Sequence, residues 1–168
     1  MRPCVGIMVV NAQGQVWVGR RRPKWADCAP HYIPGGCIWQ MPQGGIDESE
    51  RSLDAALREL REETGISSVT LLDEIPGWLN FGLPLDLMGI ALKGKYRGQR
   101  LRWFAMRFDG DDREIDVKPK RGAKAEFDDW RWVRPQDVPL LGVPFKRHIY
   151  EAVIDKFANV FPGQLAYV

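Results

Sequence analysis

The chain opens on an unbroken apolar run, Val5 to Val10. It reads as a buried strand. Asn11 to Gly14 carries turn chemistry and Val16 to Gly19 returns as a second strand, which together predict a hairpin. From Arg20 to Gly36, three prolines and two glycines suppress any period, and an extended loop is expected. Ile38 to Met41 reads as a short strand entering Pro42-Gln43-Gly44-Gly45. The rhythm then changes: Leu53, Ala56, Leu57 and Leu60 fall three and four apart, the single apolar stripe of a helix. Ser49 stands where a helix cap is wanted, and Gly65 where a left-handed terminus wants glycine. Val69 to Ile75 alternates as a strand, and 76–84 reads as a loop carrying Trp78 and Phe81. Leu87 to Leu92 and Leu101 to Phe108 predict paired strands joined across Lys93 to Arg100. Asp109 to Asp112 is a turn, Lys118 to Lys124 is basic and irregular, Trp130 to Val133 is a strand, and Pro135 to Val138 is a turn or short helix. A second long helix begins at Pro144, with Ile149, Val153, Phe157 and Val160 on one face, and stops near Pro162-Gly163. Strands on both sides of one helix, with another helix at the end, predict an α/β domain: a mixed sheet covered on both faces.

Length and composition narrow the class. At 168 residues the chain is expected to be one domain, 1–168, with a proper core. No apolar run approaches the roughly 20 residues a bilayer-crossing helix needs, and the N-terminal run is too short for a signal peptide. A cytoplasmic protein with no membrane partner is therefore expected. Net charge is +2, from 24 basic and 22 acidic residues, a balance that does not mark a nucleic-acid binder and gives no reason to expect DNA. The distribution says more. Acids gather in 47–63 and 109–116; basic clusters lie at Arg20-Arg21-Arg22-Lys24, Lys93 to Arg102, Lys118 to Lys124 and Lys146-Arg147. An acidic site ringed by cations suits a polyphosphate chain, although any one cluster also reads as a solvated surface. The three cysteines, Cys4, Cys28 and Cys37, are an odd number in a chain expected to be cytoplasmic, which argues against a disulfide framework. Cys28, His31 and Cys37 raise a zinc site, but with no CxxC pair and no evident fourth ligand they read as ordinary thiols.

The stretch with chemistry in it is Gly44 to Ile66, GGIDESERSLDAALRELREETGI. Glu59, Glu62 and Glu63 stand at i, i+3 and i+4 and cover one helix face within a turn. Like charges that close repel each other and destabilise a helix. The arrangement becomes favourable when it holds a hard divalent cation, which takes oxygen ligands. A solvated acidic face is the ordinary reading of any Glu-rich helix. Here the full spacing fits at once: Gly44, Glu50, Arg58-Glu59-Leu60, Glu62-Glu63, Gly65-Ile66. Glu50 lies nine residues before Glu59, on the opposite side of an ideal helix, so it cannot share their metal directly.

This stretch resembles the Nudix box, with no departure from its pattern. The resemblance implies a Nudix α/β/α sandwich with a mixed central sheet. It implies hydrolysis of a nucleoside diphosphate linked to a further group, with Mg²⁺ or Mn²⁺ as cofactor and more than one ion. It makes Glu59, Glu62 and Glu63 the metal and base residues. The catalytic assignment falls on Glu59 and on Arg58, the latter through an ion pair with Glu50 that orients the helix. Gly44, Gly45, Glu50 and Gly65 frame the box.

Beyond the box, Trp39 to Asp47, Lys95-Tyr96-Arg97-Gly98-Gln99, Trp103-Phe104, Glu126-Phe127, Trp130-Arg131-Trp132 and Pro144-Phe145-Lys146-Arg147 are similar to two groups within the family. One comprises bacterial RNA pyrophosphohydrolases, which release pyrophosphate from the 5′-triphosphate end of RNA. The other comprises asymmetric diadenosine tetraphosphate hydrolases, which give ATP and AMP. By that resemblance Glu126 is a further metal carboxylate, and Arg2 and Phe145 contact the terminal nucleobase, with Lys95 a substrate contact. A guanidinium plane and an aromatic ring can sandwich a base; Phe145 also reads as a core staple at a helix start. The expected partners are a nucleoside polyphosphate and the 5′ end of RNA, with the dinucleotide as the alternative substrate. An inactive nucleotide- or RNA-binding module would be expected to have lost a charged box residue, and none is missing. The 22–38 segment is longer than the short loop of the RNA enzymes and is expected to reshape the substrate mouth.

Overall fold

The computed structural model describes residues 1–118 and 125–161. Its elements run β1 (Arg2–Val10), β2 (Val16–Arg21), β3 (Ile38–Gln40), β4 (Gln43–Gly45), α1 (Ser52–Thr64), β5 (Val69–Glu74), β6 (Leu79–Gly82), β7 (Gly98–Phe108), β8 (Asp129–Val133), α2 (Val138–Leu141) and α3 (Arg147–Lys156). The run at the N-terminus is apolar throughout because both faces of β1 are covered. Val5, Ile7 and Val9 pack with Ala55, Ala56 and Leu60 of α1. Cys4, Met8 and Val10 pack with Ile149, Tyr150 and Val153 of α3. The two layers follow from the period of two along a strand. The expected α/β/α sandwich is present, and its sheet is mixed.

β1 lies parallel to β7 along its whole length, from Arg2↔Gln99 to Val10↔Arg107. Its other edge takes β4 antiparallel at Cys4↔Gly45 to Gly6↔Gln43. β2 meets β1 only at Val10↔Val16, then leaves to pair with β8 and β3. The predicted hairpin is thus a pivot: β1 stays in the central sheet and β2 carries Arg21 away from it.

Several expectations need correction. Leu87 to Leu92 is not a strand. It is bracketed by 3₁₀ turns at Leu85–Leu87 and Leu92–Gly94, and Gly89, Leu92 and Lys93 have positive φ, which breaks an extended backbone. The partner of β7's first half is β6, which pairs Leu79↔Leu101 to Gly82↔Gly98 and falls in the stretch read as loop. Ser49 does not cap α1. It has a positive φ, and the N-cap is Arg51, without a side-chain bond. Leu57 is 40% exposed, and the buried stripe is Ala55, Ala56, Leu60 and Thr64. The second helix starts at Arg147, after a 3₁₀ turn at Pro144–Lys146, and ends at Lys156. Pro162-Gly163 and most of the basic 118–124 stretch lie outside the described residues.

Candidate active site

The approach to α1 is shaped by two side chains. The Glu50 carboxylate accepts from Asp47 N–H at 3.0 Å and from Arg58 Nε and Nη2 at 2.8 and 2.9 Å. This bidentate clamp closes the turn between β4 and the helix, and it holds the Glu50 carboxyl down at about 2. Arg58 also donates from Nη2 to the Gly45 carbonyl at 2.9 Å, and from Nη1 to Glu59 at 3.0 Å and Glu62 at 3.3 Å. One guanidinium thereby fixes the strand end, the turn and the carboxylate next to it. At the other end Gly65 takes φ 74°, and its N–H bonds the Arg61 carbonyl, the left-handed terminus a side chain would strain. Lysine at position 58 keeps the charge but cannot make the fork. Arg58→Lys and Arg58→Ala should each lose ~10–100-fold in kcat, the usual scale for a group that orients a ligand residue. Wild-type kcat in Arg58→Lys, measured at saturating Mg²⁺, would remove the orienting role.

Glu59, Glu63 and Glu126 line one cleft of about 450 Å³. Burial pushes the Glu59 carboxyl up. Glu63 is pushed well up, first by burial and then by the charges of Glu126 and Glu59. Its Oε2 is buried without a hydrogen-bond partner. Glu126 is held by Arg21 Nη1 at 2.9 Å. Glu62 points elsewhere: its side chain is 55% exposed and leans on Arg58. Among the described residues no three acidic, His or Cys side chains already converge as a cage. The donors are nonetheless the hard oxygens that a Mg²⁺-sized ion takes, and the orphaned Glu63 oxygen in a crowd of carboxylates is what such an ion would satisfy. Glu126 and Glu62 are each paired with an arginine, Arg21 and Arg58.

Cations and rings surround these acids. Arg2, Arg21, Lys24, Lys93 and Lys146 line the same cleft, with Trp25, Phe81 and Phe145. Arg2 and Phe145 line it together. Lys95 is exposed and does not line the cleft; Lys93 does. The positive φ values at Leu92 and Lys93 bend the chain so that the earlier lysine faces in. Among the tryptophans Trp17 and Trp103 are fully buried, while Trp39, Trp78, Trp130 and Trp132 are half-buried. Cys28 and Cys37 are exposed free thiols.

Nothing local in the sequence singles out Arg21 or Lys146. Lys146 Nζ donates to Gln43 at 3.3 Å and sits 4.8 Å from the Phe81 ring centre, and Gln43 donates on to Gln99 at 3.2 Å. Tyr150, one turn along α3, accepts the Met41 N–H at 3.2 Å and so seats the start of α3 against the approach to the box. Burial, and then Arg21, push the Lys146 ammonium down to about 7 from 10.5. The unfolded chain therefore binds the extra proton between about 7 and 10.5, and stability should rise with pH across that window. Lys146→Met should lose the rise and melt higher than wild type at pH 7, with weaker substrate binding; denaturation at pH 7 and 10 checks the sign.

A helix face of glutamates clamped by an arginine to the strand before it, with the left-handed glycine behind, on a sheet sandwiched between helices, defines a family. The NUDIX domain model matches residues 1–153, and the chain belongs to the Nudix family, whose hydrolases generally use divalent metal ions. An RNA pyrophosphohydrolase of Agrobacterium fabrum is 53% identical over 160 residues, covering 95% of this chain and 92% of that one. An RNA pyrophosphohydrolase of Mesorhizobium japonicum is 52% identical, covering 95% and 91%. Among solved structures, the E. coli dihydroneopterin triphosphate pyrophosphohydrolase has a TM-score of 0.63 at 18% identity, covering 92% of this chain and 95% of that one, a likeness of fold alone.

Proposed function

We propose that this protein is an RNA 5′ pyrophosphohydrolase: a Nudix hydrolase that opens a phosphoanhydride in 5′-triphosphorylated RNA, releasing pyrophosphate and leaving a 5′-monophosphate end. The observation that carries the reading is the single cleft in which Glu59, Glu63 and Glu126 meet Arg2, Phe145 and a set of cations. RNA pyrophosphohydrolases half identical over 95% of the chain support it.

Glu59, Glu62, Glu63 and Glu126 would hold Mg²⁺ or Mn²⁺, more than one ion. When bound, such ions supply neutralisation of phosphate charge and activation of water. Glu59 accepts the proton of the attacking water. Its carboxyl is raised by burial, which moves a carboxylate toward the range useful to a base. Water adds at phosphorus, the bridging P–O bond breaks, and the leaving pyrophosphate takes the electron pair. Arg21 and Lys146 stand beside the carboxylates and offset charge growing on the phosphate oxygens. Arg2 and Phe145 hold a base between a guanidinium and a ring.

The test is a side-by-side rate comparison on 5′-triphosphorylated RNA and diadenosine tetraphosphate. RNA should give pyrophosphate at the higher kcat/KM. A rate on RNA far below that on the dinucleotide would replace this reading with the asymmetric dinucleotide hydrolase.

A further inference from the structure

The excursion between β2 and β3 is docked, although no periodicity in its sequence announces it. Ala26 and Ile33 are buried with Ile38 and Val143 in a small core of their own. Tyr32 Oη donates to Asp86 Oδ1 at 2.8 Å, and His31 Nε2 lies 3.3 Å from Asp86 Oδ2. Asp86 opens the segment whose Ile90, Leu92 and Lys93 also line the cleft, so two lining segments, far apart in sequence, are tied to each other. Trp25 sits within this tie. Its ring centre is 5.9 Å from Phe145 at 41° and 6.3 Å from Tyr32 at 83°, and Tyr32 meets Phe145 edge-on at 5.5 Å. Trp25 is half-buried, and it lines the cleft with Pro23 and Lys24.

We infer that this excursion is a base-binding wall of the cleft, in which Trp25 gives a stacking face to a nucleobase of the substrate and Lys24 an adjacent phosphate contact. The inference rests on reading the cleft as an RNA 5′-end site. One part of the indole is held by rings that are themselves braced, and the rest is presented to the cleft. A large aromatic surface presented there without freedom to collapse is a preorganised platform. Every base has a π-face, so such a platform takes whichever base is offered. The direct contact between Trp25 and Phe145 makes the wall continuous, so the base stacks on it and does not insert between the two rings.

The experiment measures kcat and KM on a short 5′-triphosphorylated RNA, and on the same RNA made abasic at its first or at its second nucleotide. Trp25→Ala should raise KM on the intact RNA about tenfold, the scale of one lost stack, with kcat within about twofold of wild type. Trp25→Phe should recover most of that loss. On one of the two abasic substrates wild type and Trp25→Ala should have equal KM, because the base that Trp25 holds is gone. A KM effect that persists undiminished on both abasic RNAs, a fall in kcat at unchanged KM, or no effect at all would overturn the inference while leaving the functional reading in place. A wild-type enzyme that releases no pyrophosphate from RNA would overturn both.

Discussion

Glu63→Gln should lower kcat on a phosphoanhydride by at least ~10²-fold, the scale of losing one preorganised charge-stabilising group, and should leave the metal-free fold as stable as wild type or more so. The two halves have one cause. Glu63 carries a buried oxygen with no hydrogen-bond partner, and its carboxyl is pushed up by burial and by the neighbouring acids Glu126 and Glu59. As a carboxylate it is costly where it stands, because a desolvated charge without a full partner is unfavourable. An amide of the same shape removes the charge and keeps the packing. Stability held in reserve at that position makes sense only if the site is completed by a cation. Mg²⁺ should accordingly raise the melting temperature of wild type, through binding to the folded state alone, and raise that of Glu63→Gln much less. Near wild-type hydrolysis by Glu63→Gln at saturating Mg²⁺ would sink the assignment of Glu63 to the metal site.

The box was legible because its spacing is set by chemistry. Glu59, Glu62 and Glu63 stand at i, i+3 and i+4 on one helix and Gly65 turns left-handed at its end, so the residues announce themselves whatever surrounds them. β1 was legible for a similar reason: a strand buried on both faces has no polar position to confuse the period. What the sequence hid depends on contacts distant along the chain. β6 has four residues, too few to establish alternation, and it exists because β7 offers an edge there. Leu87 to Leu92 carries more apolar residues, but glycine and positive φ at Leu92 and Lys93 divert it into turns that bury Leu87 and Ala91 without pairing. The same diversion brings Lys93 to the cleft in place of Lys95. Arg21 was one of three consecutive arginines, and nothing local distinguishes the one that reaches Glu126. Lys146 becomes a cleft residue only because Tyr150 seats α3 against Met41. Of the basic cluster Lys118 to Lys124, only Lys118 is among the described residues.

The glycine pair that enters the box should separate chemistry from binding. Neither Gly44 nor Gly45 has a positive φ, so alanine can take the backbone of either, and β4 keeps its pairing with β1. What is missing is room, and it is missing in two directions. A Cβ on Gly44 would lie 2.0 Å from the Glu59 carboxyl carbon and 2.3 Å from its Oε2. The strand is held on both sides of this point by Val5↔Gly44 and its neighbours, whereas the glutamate tip can swing, so the carboxylate gives way. A displacement of about 1 Å in the group proposed to take the proton of the attacking water costs ~10²-fold in rate. Gly44→Ala should therefore fold, melt close to wild type, bind RNA with nearly unchanged KM, and lose ~10²-fold in kcat. A Cβ on Gly45 would instead meet Arg2 Nη2 at 2.8 Å. It displaces the guanidinium expected to sandwich a base and leaves Glu59 alone, so Gly45→Ala should raise KM on RNA while kcat holds. Measured kcat and KM for the two variants on one 5′-triphosphorylated RNA decide the matter. Equal losses in the same parameter for both would mean that Glu59 and Arg2 do not divide catalysis and recognition between them. Wild-type kcat in Gly44→Ala would mean that the Glu59 carboxylate is not the base.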